Sequence, residues 1–281
     1  MEHEFKVDSP IVIDRILSRN LGKWSKDLRN EIIPDTTPVP FFGDFENATI
    51  VSVGINPSSE EFPKNGNNRR LSHLSDLELP LDYFQKGLSS MTNAQALSVS
   101  KSLLNYFETN PYKDWFDLAE IAVNGANGSY YKSEAGKQKV SCHFDVFPWA
   151  TKGFNSLEKK IQENFIQENL DFFINFLSQK SISDIMVLGR QAYDLFSKLL
   201  LQGNTVKIEL LSKVEISVIG DISKTEFKRE YIDFNSHKVR LFSTSKGPSY
   251  PLRVKGLSKK EKDRIKTEIH MNFSNFINNR Q

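Results

Sequence analysis

Three short apolar runs in this chain each end at an abrupt break and hand over to helical periodicity. ATIVSV (48–53) stops at Gly54-Ile55-Asn56-Pro57, VSCHFDVF (140–147) at Pro148, and DIMVL (184–188) at Gly189. Continuous apolar strands separated by helices are the pattern of a parallel sheet buried on both faces, because each crossover lays a helix over the sheet. The expected fold is therefore α/β, a three-layer α/β/α sandwich with a central, mostly parallel sheet. Residues 11–33 read as helical, with Ile13, Ile16, Leu17 and Leu21 on one face, and 92–107 as a helix with Ala96, Val99, Leu103 and Leu104 inward. Residues 157–177 carry Ile166, Leu170, Phe173 and Leu177 at helical spacing. A last strand is predicted over 238–243, followed by a basic helix from Ser258 onward. Ser58 and Glu61 match the S-x-x-E capping box, so a helical turn should start there. The polar stretch 62–80 reads as a long surface loop. The expected organisation is one domain over 1–281, with an N-terminal helical extension over about 1–40.

Length and charge narrow the function classes. A chain of 281 residues with 38% hydrophobic and 26% charged residues can bury a substantial core. The net charge of +2 permits a local basic groove without requiring one. Cys142 is the sole cysteine, which rules out an intramolecular disulfide and makes the cytoplasm the expected compartment. No apolar run approaches the roughly 20 residues of a membrane helix, and the start MEHEFKVDSP lacks the order of a secretory signal. The sequence has no G-x-G-x-x-G after Gly54 and no G-x-x-x-x-G-K-[ST]. Its five histidines are scattered, so neither a cofactor nor a zinc site is expected.

In open parallel sheets, ligands bind outside the carboxyl ends of the strands. Three strands end in distinctive loops, GINPS, FDVFPWAT and STSKGPSYP, and these should converge on one site. Together they resemble the uracil-DNA glycosylase superfamily. Gly54-Ile55-Asn56-Pro57-Ser58 is close to the GINPG motif of its mismatch-specific uracil and thymine branch. SCHFDVFPWAT is similar to the strand bearing the base-reading side chain, aligned at Asp145, and VLGRQAYDLF to the strand-Gly-helix unit that follows. STSKGPSYPLR stands where the family has its intercalating loop. The resemblance spans roughly Phe41 to Arg253 and departs from the family in two places: the last loop lacks a frequent histidine, and the reading position is an aspartate.

The resemblance implies a metal-independent, monomeric DNA glycosylase that flips out a damaged or modified pyrimidine and leaves an abasic site. Asn56 would hold the attacking water, or else cap a turn before Pro57. Asp44, in FFGDF, would help activate water, or simply close a Gly-Asp turn. Gly54 and Ser58 would border the base, the small Ser58 leaving room beside C5 while also serving as an N-cap. At Asp145 a carboxylate only accepts hydrogen bonds, which suits the N4 amine of a cytosine-type base; capping or ion pairing is the alternative. His143 shares its strand face, and Tyr130 and Tyr131 would either stack on the extruded base or pack. Ser245, Lys246, Gly247 and Ser249 would grip phosphates, with Leu252 and Arg253 at the wedge. Small Ser58, acidic Asp145 and the loop after Phe62 point to a bulky modified cytosine of phage DNA, hence antiviral defence. The rivals are uracil/thymine mismatch repair, a non-catalytic nucleic-acid-binding module, and a nucleoside or nucleotide hydrolase.

Overall fold

The computed structural model describes residues 5–17, 30–33, 36–62, 70–71, 91–131, 139–154, 157–178, 181–202, 206–218, 223–234, 237–246 and 257–278. Strands β1 (Ala48–Gly54), β2 (Gly128–Ser129), β3 (Lys139–Asp145), β4 (Asp184–Leu188), β5 (Lys207–Val218), β6 (Ser223–Asp233) and β7 (Lys238–Thr244) form one sheet in the order β2-β3-β1-β4-β7-β6-β5. The pairs from β2 through β7 are parallel. β6 is antiparallel to both β7 and β5, which makes the sheet mixed.

The α/β expectation holds, and adjacent residues on β3 show why helices cover both faces. His143 and Phe144 point to opposite sides of the pleat. The His143 ring meets Trp115 and Phe116 of helix α3 (Lys113–Gly125), with centroids 4.7 and 5.3 Å away. Phe144 instead packs on Phe172, Phe173 and Phe176 of helix α4 (Lys159–Leu177). Helix α5 (Arg190–Gln202) joins the α4 layer through Phe196 against Phe173. Helix α6 (Lys259–Asn278) lies beside α3 and sets Phe273 and Phe276 on Phe227 of β6.

At the N-terminus, helix α1 (Pro10–Leu17) buries Val12, Ile13, Ile16 and Leu17 and packs on helix α2 (Asn93–Leu104). The helical reading of 11–33 does not run to its end, because Ile32 forms a bridge with Thr151 and Ile33 N–H donates to Ala150 O. Residues 18–29, including Leu21, lie outside the described part. The N-terminal region is thus pinned to the segment that follows β3. Helix α2 starts on a complete Thr92/Gln95 capping box and stops at Leu104, a turn earlier than the periodicity predicts. The chain resumes as a single turn, Tyr106–Thr109.

β5 and β6 have no counterpart in the sequence reading. Both alternate charged and apolar residues, and at the edge of the sheet one of their faces meets solvent. Lys213 pairs with Glu226 across them at 2.7 Å. Among the described residues, no helix is long and apolar enough to cross a membrane.

Candidate active site

The connection leaving β1 passes through α3 on one face, and the one leaving β3 passes into α4 on the other. Their chains part at the carboxyl ends of two adjacent strands, which opens a crevice there. A cavity of about 460 Å³ occupies it, within the usual range for a small-molecule or cofactor site. Gly54 to Ser58 form one wall and Leu188 to Ala192 a second, Phe42, Tyr112, Trp115 and Phe116 supply an aromatic side, and Glu61, His143 and Asp145 contribute polar groups. Two of the three predicted loops therefore meet here, GINPS and the end of β3. The third reaches the rim at Ser245, whose carbonyl accepts from Arg190 N–H at 3.2 Å, while its hydroxyl accepts from Glu226 N–H at 2.8 Å. Lys246 is half-buried beside it; Gly247, Ser249, Leu252 and Arg253 lie outside the described residues.

Asn56 stands two residues past the end of β1, in the bend that leaves the strand. Its side-chain amide donates to Pro57 O at 3.1 Å and, more weakly, towards Thr151 Oγ1 at 3.4 Å. Because Pro57 O can only accept, the amide nitrogen must face it, which fixes the orientation of the group. Asn56 Oδ1 takes no hydrogen bond among the described residues and remains to accept one at the cavity. Ser58 caps the turn, its hydroxyl accepting from Glu60 N–H at 3.2 Å, and the residue borders the cavity.

The other half of the capping box is not formed. Glu61 turns away from its own helical turn (Ser59–Glu61) and is 2% exposed, with Oε2 accepting from Tyr106 Oη–H at 2.6 Å. Burial pushes this carboxyl up to about 7, with Asp145 and Glu60 adding to the shift while the Tyr106 bond and Arg70 oppose it. Burial, and then Glu61 itself, raise the Tyr106 phenol. A local capping signal was outweighed by tertiary burial, so the sequence pattern pointed away from the most perturbed acid in the cavity.

Behind the crevice runs a buried chain of hydrogen bonds. Tyr130 Oη–H donates to Ser52 Oγ at 2.5 Å, Ser52 Oγ lies 2.7 Å from His143 Nδ1, and His143 Nε2 lies 3.3 Å from Asp145 Oδ1. With Tyr130 donating into Ser52, the serine proton points most directly at Nδ1. His143 then carries its proton on Nε2 and donates to Asp145, whose carboxylate accepts. Ser52 was absent from the sequence reading, though a lone serine inside an apolar strand, two residues from Gly54, is a detectable anomaly.

Three predicted site residues lie elsewhere. Tyr130 does not line the cavity: its ring stacks on Phe107 at 4.8 Å and its hydroxyl serves Ser52. Tyr131 bonds Asp117 Oδ1 at 2.7 Å, also away from the cavity. Asp44 closes a turn, accepting from Asn47 N–H at 3.2 Å and from Asn47 Nδ2 at 3.1 and 3.0 Å. For all three the packing or turn alternative is the one found.

Among the described residues, no group of three His, Cys, Asp or Glu side chains could hold a metal ion. The sequence matches no family model and no curated protein.

Proposed function

We propose that this protein is a DNA glycosylase that hydrolyses the N-glycosidic bond of a flipped-out pyrimidine. The observation that carries this reading is Asn56, with its amide N–H engaged by Pro57 O and its Oδ1 left to the cavity. As the bond to the base breaks, positive charge develops on the sugar, so the attacking water needs orientation more than a strong base. A carbonyl oxygen held in place can supply that. Trp115, Phe116, Tyr112 and Phe42 offer apolar faces for a flat ring taken out of the base stack. Asp145, receiving His143 Nε2–H on Oδ1, presents an acceptor that favours the amino group of a cytosine-type base. The space beside Ser58 leaves room for a substituent at C5, which keeps the modified cytosines of phage DNA, and an antiviral role, as the leading substrate class. Ser245 and Lys246 at the rim would meet the backbone phosphates.

The test is incubation with duplexes carrying uracil, a G·T mismatch, 5-hydroxymethylcytosine or its glucosylated form, followed by alkali. Strand breaks at one base type are expected from the wild type. Asn56→Ala should slow base release about a hundred- to a thousandfold with DNA affinity retained. Absence of alkali-labile sites on every duplex, or equal turnover by the variant, rejects the reading.

A further inference from the structure

We propose that Glu61 is the general acid of this site, giving its proton to the departing base. The proposal rests on the glycosylase reading and names a catalytic group that neither the motifs nor the resemblance indicated. Three observations carry it. The carboxyl lines the cavity that holds Asn56 and Asp145. Tyr106 Oη–H occupies Oε2, and among the described residues Oε1 takes no hydrogen bond. The residue is also buried, which disfavours its charged form and keeps much of it protonated near neutrality.

The chemistry asks for such a group. An amino-substituted pyrimidine leaves poorly as an anion, and protonation on a ring nitrogen or carbonyl oxygen turns it into a neutral leaving group. As the C1′–N1 bond breaks, its electron pair goes to the base and the Glu61 proton neutralises the charge that develops there. The water at Asn56 forms the new C1′–O bond, and its released proton restores the Glu61 acid directly or through solvent. The products are a neutral base and an abasic sugar. The groups facing this carboxyl are Tyr106, which bonds it; Arg70; Asp145; its neighbour Glu60; the Tyr112 phenol; and His143 across the cavity. A proton donor must be protonated to act, so the rate should be full below about 7 and fall as pH rises through that value.

The experiment compares wild type, Glu61→Gln and Tyr106→Phe in single-turnover assays. The duplexes carry 5-hydroxymethylcytosine or 5-fluorocytosine, the fluorine making the second base the better leaving group. Glu61→Gln should slow release about 10²- to 10⁴-fold, lose the alkaline limb, keep its Kd for DNA, and suffer less on the fluorinated base. Tyr106→Phe removes a bond that lowers the Glu61 value, so its limb should move to higher pH. Wild-type rates in Glu61→Gln, or equal losses on both bases, would overturn the role. Titration of the Glu61 carboxyl by ¹³C NMR in the free protein separates the two possible failures. A midpoint in the ordinary carboxylate range with base release intact rejects the general acid alone. A midpoint near 7 with neither base released by the wild type rejects the glycosylase reading, and the role falls with it.

Discussion

At the scale of single residues, the side chains that shape this site are tied to partners far away in sequence. Ser52 and His143 are 91 positions apart, and Ser52 and Tyr130 are 78 apart. Ser52 sits between a phenol that donates to it and an imidazole that receives from it, so its removal leaves the Tyr130 hydroxyl and His143 Nδ1 without their partner. Ser52→Ala should cost about 1–3 kcal/mol for the buried groups left unpaired, read from the midpoint of urea unfolding. It should also release the preference of His143 for the Nε2–H form. Imidazole ¹⁵N shifts report that directly: one tautomer in the wild type and a mixture in the variant. An unchanged tautomer in Ser52→Ala would mean that Asp145 alone orients the ring. A reading of β1 as a purely apolar strand passes over Ser52, whose role becomes visible only once β3 lies beside it.

At the scale of elements, the ends of strands were more legible than their neighbours in space. β1, β4 and β7 follow the apolar runs closely, whereas β3 ends at Asp145, three residues before the expected break at Pro148. Gly189, after β4, has φ +116, which favours glycine, and its N–H donates to Thr244 O at 3.1 Å, so the turn into α5 is built from the residue type itself. Gly54 is small for another reason: a Cβ there would overlap Asp145 Oδ1 and come within 3.0 Å of His143 Nε2. Gly54→Ala should therefore fold with a loss of about 1–3 kcal/mol and displace the Asp145 carboxylate. Base release should fall sharply while circular dichroism stays that of the wild type. Full activity in this variant would place Asp145 outside base recognition. β5 and β6 were not legible as apolar runs because charged residues alternate with apolar ones along them, as antiparallel strands with one solvated face allow. The turn at Ser58 was legible only as a cap; where Glu61 points was decided by Tyr106, 45 residues on.

At the scale of the whole molecule, the site depends on two helical layers closing over one sheet. α6, at the end of the chain, covers the antiparallel side: Phe273 meets Phe227 at 4.9 Å, and Phe276 meets Phe242 at 6.3 Å. Phe273 is buried among apolar neighbours, so Phe273→Ala should lower stability by about 3–5 kcal/mol, with the midpoint of urea unfolding falling to match. A loss below about 1 kcal/mol would show that α6 is not integral to the cooperative core. The N-terminal segment is likewise part of the site's support. Through Ile33 N–H on Ala150 O and the Ile32–Thr151 bridge, it steadies the segment after β3 that carries Thr151, and Thr151 lies against Asn56. Sequence alone determined the alternation of strands and helices and the position of Asn56 just past a strand, because periodicity, glycine turns and proline breaks act over a few neighbouring residues. Only the tertiary structure decided that Glu61 faces the cavity, that Tyr130 anchors a buried hydrogen-bond chain, and that Asp44 closes a turn. Those outcomes depend on burial and hydrogen-bond pairing among residues that no local pattern brings together, and for Glu61 burial outweighed the local preference.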